Sequence, residues 1–327
     1  MLNGGLCVKR FCPLLILVGL VVSAAPAYAQ GVTLRYRWTK GDSLTYRMTN
    51  QTNSSISGMP GAGNLTVDQT MTQVLKVTAE EVTPDGVATL RQSFQSVRME
   101  MNGPMGKVVY DSSAPDKTPN PMVEAMGKVM GSLVGESIIV VMAPEGTVRR
   151  VEGASRILER VMQSLSADPA AAAAAQGLKA MLSDDALKTT LSQSFARLPA
   201  DPVKAGDTWT GQLAMGNEVI GRVAGASTFT LKAIEGTADA PLARIAVGLA
   251  LKQEVVPAPS GPMGMVMKIG DSKGEGEILF SVAKGHIQRS TMRTEMPSTM
   301  TMTGPDGSPA TMQNRTTTTM TMELVEK

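Results

Sequence analysis

Apolar and polar side chains alternate along the first third of the chain, which is the pattern of β-strands with one buried face. The first apolar series consists of Val32, Leu34, Tyr36 and Trp38. It predicts a strand that leads through the turn at residues 40–43 into a second strand from Leu44. Residues 51–64, rich in Gly, Ser and Asn, predict a flexible tip. Long strands are predicted at 65–77 and 87–101, joined by a Pro-Asp-Gly turn.

The period changes to that of helices between residues 154 and 198. The apolar positions at helical spacing are Ile157, Leu158, Val161, Met162 and Leu165, and then Leu187, Leu191 and Phe195. The second series follows Ser183-Asp184-Asp185, which resembles a helix N-terminal cap. A third helical stretch is expected around the six alanines of residues 170–175. We therefore predict amphipathic helices that pack against the sheet.

The last 40 residues predict a long hairpin with two chemically different faces. The methionines lie at alternate, even-numbered positions, which share one face of a strand. They are Met292, Met296, Met300 and Met302, and on the returning strand Met312, Met320 and Met322. The odd-numbered positions, on the other face, are mostly Thr, Arg, Gln and Glu. The turn is expected at residues 304–307. The pattern indicates a methionine face and a hydroxyl face.

Parts of the second half of the chain repeat the first half in the same order. Residues 202–209 resemble the turn at 40–44, and Leu231-Lys232-Ala233 resembles Leu75-Lys76-Val77. We interpret this as duplication. The predicted fold is α+β, mostly antiparallel β-sheet in two similar halves with a helical insert between them. The expected divisions are a signal peptide at 1–29, a first β-rich half at 30–153, the insert at 154–198 and a second β-rich half at 199–327.

The first 29 residues have the three parts of a secretory signal peptide. The basic pair Lys9-Arg10 precedes the apolar run Leu14–Val22, and the small residues at 27–29 precede Gln30. Cleavage is expected between Ala29 and Gln30. The apolar run is shorter than the roughly 20 residues of a membrane-spanning helix, and no second run approaches that length. The sequence thus predicts an exported protein, periplasmic or extracellular, without a transmembrane segment in the mature chain.

Composition narrows the chemistry that the mature chain is expected to perform. Removing the signal peptide leaves 29 basic and 29 acidic residues and no cysteine, so no nucleic-acid partner is indicated. His286 is the only histidine, and zinc sites of the usual His/Cys type need more such ligands. No catalytic residue, metal site or cofactor is predicted, and a hydrolase of unknown type stays open as an alternative.

Three segments resemble a known family. Residues 34–42, 109–112 and 202–209 are similar to an exported bacterial family, the domain-of-unknown-function family numbered 6263. The resemblance covers most of the mature chain in order. It implies an exported bacterial protein, and it implies no activity, cofactor or catalytic residue.

The methionines are the one compositional anomaly, with 24 in the chain. The candidate ligand-facing residues are Met99, Met101, Met292, Met300, Met302, Met320 and Met322. Methionine is a flexible core filler, so packing alone accounts for the pattern. Thioethers also suit Cu(I), which makes a periplasmic Cu(I)-binding protein an alternative. A third interpretation is an open groove for a hydrophobic ligand, which predicts apolar volume beneath the helices of residues 154–198. We expect a non-enzymatic binding or structural protein whose partner is a hydrophobic small molecule or an envelope protein.

Overall fold

The computed structural model describes residues 31–58, 63–104, 106–114, 127, 129–165, 184–217, 220–256, 266–303 and 309–326. The predicted signal peptide, its cleavage site, the alanine-rich helix at 170–175 and the turn at 304–307 lie outside these residues.

The described chain forms one open antiparallel sheet of thirteen strands. The strands are β1 (Ser43–Ser57), β2 (Leu65–Val82), β3 (Ala88–Gly103), β4 (Gly106–Asp111), β5 (Ser137–Met142), β6 (Val148–Glu152), β7 (Thr208–Asn217), β8 (Gly221–Thr237), β9 (Ala240–Val255), β10 (Val266–Ile269), β11 (Ser272–Ser281), β12 (His286–Thr303) and β13 (Pro309–Glu326). Their order is β6-β5-β3-β2-β1-β13-β12-β11-β9-β8-β7, while β4 pairs with β3 and β10 with β12. The predicted antiparallel, strand-dominated fold is confirmed.

Two short helices, α1 (Ala154–Leu165) and α2 (Asp184–Ser194), lie between β6 and β7 in the chain. Helix α2 contacts both β6 and β7, the two ends of the eleven-strand path. In a flat sheet those ends would lie about 48 Å apart, at about 4.8 Å per strand, whereas a helix is only about 10–12 Å wide. The sheet is therefore strongly curved, and α2 lies at the seam between its edges.

Strand β1 is longer than the sequence predicts. The polar stretch from Gln51 to Ser57, expected to be a flexible tip, pairs with β2 on one side and with β13 on the other. Two ladders of backbone hydrogen bonds stabilise it, and residues 51–54 lie opposite threonines of β13. The prediction was wrong because composition alone does not reveal neighbouring strands that satisfy a polar segment.

The N-terminal segment 31–39 is extended and alternates in burial, as predicted, but it is not a strand of the sheet. Leu34 is fully buried and Tyr36 nearly so. Val32 bridges Val203, the Tyr36 amide donates to the Pro144 carbonyl, and the Arg37 amide donates to the Gly285 carbonyl. The segment therefore crosses one end of the curved sheet as a strap. Its backbone bonds go to loops that are distant in sequence, which alternation cannot indicate.

Two turns that look alike in sequence have the same hydrogen bonds. The Asp42 carboxylate accepts from the Thr39 amide, and the Asp207 carboxylate accepts from the Lys204 amide, both at 2.7 Å. After each turn the chain exchanges a pair of backbone bonds with a neighbouring strand, at Ala79 in the first case and at Leu231 in the second. Leu231 thus corresponds in structure to Ala79, not to Leu75 as the sequence comparison suggested.

The helices bury only part of the predicted apolar positions. On α1, Ile157 and Val161 are buried, whereas Met162 is 38% exposed. Helix α2 begins at Asp184, whose carboxylate accepts from the Ala154 amide at the start of α1, at 3.1 Å. This bond ties the N-termini of the two helices together. The predicted apolar stripe is therefore too wide. Met162 lies outside the side of α1 that carries Ile157 and Val161 and packs against the core.

Substitution of Gly146, which lies next to Tyr36 of the strap, measures how tightly the strap is packed. Gly146 has a φ of 86°, and an added Cβ would lie 2.5 Å from the Ala196 carbonyl oxygen and 2.8 Å from the Tyr36 ring. Gly206 has a φ of 97° and nothing within 4 Å of such a Cβ. We expect Gly206→Ala to cost about 1–2 kcal/mol of unfolding free energy from its backbone conformation, and Gly146→Ala to cost about 1–3 kcal/mol more from overpacking. Urea denaturation measures both, and equal losses would contradict the packing described.

Candidate functional site

A cavity of about 390 Å³ lies between the concave face of the sheet and α2. The described residues that line it are Tyr36, Trp38, Tyr46, Met48, Asn50, Gln73, Leu75, Val77, Gln92, Phe94, Leu133, Ile138, Ile157, Leu187, Leu191, Phe195, His286, Ile287, Met320 and Met322. Most of these side chains are apolar. The location is the one that the hydrophobic-groove interpretation predicts, beneath the helices of residues 154–198.

The sheet wall follows from strand alternation. Tyr46, Met48 and Asn50 of β1 point to the same face because successive side chains alternate. Met322 lies directly opposite Met48 on β13, and Met320 lies opposite Asn50. Directly opposite residues share a face, so these five side chains form a contiguous patch. The patch is apolar except for Asn50.

The helix wall comes mainly from α2 and the residue just after it. Leu187, Leu191 and Phe195 are spaced four residues apart, which places them on one side of the helix. Ile157 of α1 adds to this wall. The sequence predicts all four as apolar helix positions, and the structure brings them together with the sheet.

Two tyrosines close the end of the cavity near the strap. The Tyr36 hydroxyl donates to the Ala196 carbonyl at 3.3 Å, and the Tyr46 hydroxyl donates to the Ile287 carbonyl at 3.1 Å. Tyr36 also meets Phe195 and Phe280 edge to face, with centroids 6.1 and 5.4 Å away. Burial raises the pKa of both phenols well above the ordinary value. Both therefore remain neutral hydrogen-bond donors throughout the physiological range.

The cavity wall carries no fixed charge: no Asp, Glu, Lys or Arg is found among the described residues that line it. His286 is buried, and its Nδ1 lies 3.2 Å from the Lys284 carbonyl. A carbonyl oxygen only accepts, so Nδ1 donates there. The wall also lacks Ser, Thr and Cys within the same set of residues. The groups that a hydrolytic site around His286 needs are therefore not gathered in the described wall.

The structure distributes the seven candidate methionines over the concave side. Met320 and Met322 line the cavity, and Met292 lies opposite Met320 on β12. Met99 is buried outside the cavity, and its sulfur accepts from Gln69 Nε2 at 3.2 Å. Met101, Met300 and Met302 lie farther along the strands and do not line the cavity. The predicted methionine face thus reaches the cavity at only two positions.

Sequence reasoning missed Met48 and the polar lining groups Asn50, Gln73 and Gln92. The alternation of β1 contains the signal for Met48 and Asn50, since both share parity with Tyr46. The predicted strand ended before residue 51, where a flexible tip was expected, and so Met48 and Asn50 were not recognised as part of a long sheet face.

A second cavity, of about 410 Å³, lies on the seam side of α2. It is lined by residues of β6, α2, β7 and β8, and Lys188 and Arg197 contribute to its wall. Its wall is therefore more polar and carries positive charge, unlike that of the first cavity.

Two further properties of the described residues bear on their chemistry. No group of three or more His, Cys, Asp and Glu that could hold a metal ion occurs in the part of the chain that the structure describes. Neither described helix has the length and apolar character needed to cross a membrane.

The fold and the cavity define an open, curved antiparallel sheet that encloses an apolar pocket with a neutral wall. The chain belongs to DUF6263, a family of unknown function, whose family model matches residues 85–285. The matched span runs from the turn before β3 to the turn before β12. The family resemblance predicted from three short segments is confirmed.

Individual proteins resemble the chain only weakly. No curated protein matches the chain. A solved structure described as lipid–protein interactions in lipovitellin has a TM-score of 0.45 and 10% identity, and the match covers 89% of this chain and 26% of that one. The chain thus spans about a quarter of that protein. DynF from the dynemicin biosynthesis pathway of Micromonospora chersina has a TM-score of 0.22 and 10% identity, with 92% and 88% covered. Similarity at this level carries no argument about function.

The buried phenols give a pH dependence that can be tested. Above about pH 10, the ordinary pKa of tyrosine, Tyr36 and Tyr46 ionise in the unfolded chain but stay protonated in the folded one. The unfolded state then binds fewer protons, so the free energy of unfolding falls as pH rises, by about 1.4 kcal/mol per pH unit for each phenol.

Between pH 10 and 12, we expect the unfolding free energy of the double variant Tyr36→Phe/Tyr46→Phe to fall less steeply with pH than that of the wild type, because the contribution of the two phenols is missing. Chemical denaturation of the variant and the wild type at several pH values isolates the contribution, because the other titrating groups are common to both. An identical slope in the two proteins would contradict the burial of the phenols.

Proposed function

We propose that this protein is exported and binds an apolar small molecule in the cavity beneath α2, without catalysing a reaction. The observation that carries the proposal is the cavity itself. Its volume of about 390 Å³ falls within the roughly 300–1,000 Å³ typical of small-molecule sites. Protein interiors are otherwise close-packed, with few voids larger than a water molecule. An apolar occupant would restore the contacts that the wall lacks.

The composition of the wall supports binding over catalysis. The described lining residues provide methionine, leucine, isoleucine and aromatic side chains, and the phenols of Tyr36 and Tyr46 already donate to backbone carbonyls. Methionine adapts its shape to varied apolar ligands. A hydrolase would need a nucleophile or a paired carboxylate near His286, and the wall offers neither among those residues.

Export is proposed on the basis of the N-terminal sequence. The basic pair, the apolar run and the small residues before Gln30 are typical of a signal peptide that is removed. We place the mature protein in the periplasm or outside the cell, where its partner is a hydrophobic small molecule or another envelope component.

We also infer that the two β-rich halves are related by duplication. The twin turns at Asp42 and Asp207 with their matching bonds support this. So does the strand order, because β1-β2-β3-β5-β6 and β7-β8-β9-β11-β12 are each five strands that pair in succession. Strand β13 then joins the two series by pairing with both β1 and β12.

Cu(I) binding is the second candidate function, and one observation favours it. Met48 lies opposite Met322, and Met320 lies opposite Met292, which brings four thioethers together on three adjacent strands. Thioethers are soft ligands suited to Cu(I). Met292 and Met322 also pack against the hydrophobic core, however, and this role explains their position without a metal.

Native mass spectrometry of the mature protein from its exported fraction tests the main proposal. We expect an added mass that denaturing extraction identifies as an apolar molecule. Met48→Trp should fill the cavity and lower the bound fraction at least about 10-fold, and Leu187→Trp should do the same from the helix side. Met296→Trp is the control, because Met296 is 40% exposed and does not line the cavity. A clean mass from wild type that stays unliganded with added apolar molecules would favour a structural or protein-interaction role.

A Cu(I) titration against a competing chelator separates the second candidate from the first. If the methionines only pack, the wild-type protein takes no Cu(I) from the chelator, and Met320→Leu/Met322→Leu behaves identically. Stoichiometric Cu(I) transfer that the double variant abolishes would instead establish the thioethers as ligands.

A further inference from the structure

Among the described residues, the central part of the concave face carries no charged side chain, even beyond the cavity. The central part of the sheet consists of residues 46–57, 65–75, 94–103, 289–300 and 312–324 of five neighbouring strands. Its charged residues are Arg47, Asp68, Arg98, Glu100, Arg289, Arg293, Glu295, Arg315 and Glu323. Cross-strand pairing places all of them in rows with Arg47, Thr49, Gln51, Asn53 or Ser55 of β1. These odd-numbered positions point away from the cavity, because Tyr46, Met48 and Asn50 line it.

At β1 and β13, the two rows just outside the cavity carry hydroxyl groups, while Val67, Met101 and Met296 lie farther out in the same rows. Thr52 lies opposite Thr318 with their oxygens 3.4 Å apart, and Ser54 lies opposite Thr316 at 3.2 Å. Both rows follow Asn50 along the same face of β1. A molecule that leaves the apolar cavity along the strands therefore meets a carboxamide and then neutral hydroxyls.

The closed end is also polar without being charged. The indole nitrogen of Trp38, which lines the cavity, is buried and has no hydrogen-bond acceptor among the described residues. Asn50 and Gln73 also line the cavity. The wall can thus hydrogen-bond oxygen atoms, but its described residues include no carboxylate, ammonium or guanidinium group that could neutralise an ionised ligand.

We propose that the cavity selects an uncharged amphiphile, with its apolar part beneath α2 and its neutral polar group, a hydroxyl, ester or amide, at Asn50 and the Thr52–Thr318 pair. The inference rests on the proposed binding function and specifies its ligand class. An ionised head group at that position would lie beside neutral side chains that are themselves partly buried, with no opposite charge on this face of the described central strands. Burying an unpaired charge is strongly unfavourable, so ionised amphiphiles of the same chain length are excluded.

Displacement of the neutral fluorescent probe N-phenyl-1-naphthylamine from the mature protein tests this selection. We expect 1-decanol to displace the probe with an affinity at least about 30-fold higher than decanoate or decylammonium at pH 8. Equal displacement by the three compounds would overturn the charge selection and leave the binding function intact. If the probe itself does not bind the wild-type protein, the binding function and the selection both fail.

A charge inserted at the cavity provides the matched test. Asn50→Lys adds a cation to the wall, and we expect decanoate to gain at least about 10-fold while 1-decanol loses affinity. Thr49→Lys adds the same charge one residue away, on the convex face, and should leave both affinities unchanged. Equal effects of the two variants would show that the charge acts from a distance, which would overturn the assignment of the head-group position. Circular dichroism confirms that each variant is folded before its affinities are compared.

Discussion

The packing of Tyr36 is the contact on which the curved sheet depends. Its ring lies between Phe195, just after α2, and Phe280 of β11, and its hydroxyl donates to the Ala196 carbonyl. Its own amide donates to Pro144, in the turn between β5 and β6. One residue thus ties the helical segment to strands from opposite parts of the sheet. Through these contacts, the helical segment that touches both edges of the sheet is held against its strands.

The division of charge between the two faces links this architecture to the site. A curved sheet has an inner face that is partly shielded from water, and unpaired charge there would be costly. The outer face carries the arginines, glutamates and aspartate of the central strands in cross-strand rows, where water solvates them. The inner face is left to methionine, aromatic, carboxamide and hydroxyl groups. The same alternation that folds the strands therefore also determines the chemistry of the cavity.

Local pattern predicted much of the fold, because strand alternation and helical spacing are local properties. The long strands, the methionine-faced hairpin and the apolar positions of α2 could all be recognised in this way. The pairing of β1 with β13, which joins residues about 270 positions apart, could not. That pairing turns the polar stretch after Asn50 into strand and places Met48 opposite Met322. The cavity was predicted as a volume beneath the helices, but its lining depends on that long-range register and on the strap, which sequence alone does not specify.

The seam between β6 and β7 has a mechanical consequence. Helix α2 contacts both edges of one continuous sheet, and it also covers the cavity. The curvature of the sheet is distributed over the ten strand pairs along its path, so a small change at each pair would be enough to alter the width of the seam. The curvature of the sheet, the width of the seam and the volume beneath α2 are therefore geometrically linked, so that a change in one requires a change in the others. A change in the volume beneath α2 would therefore be distributed over the whole sheet.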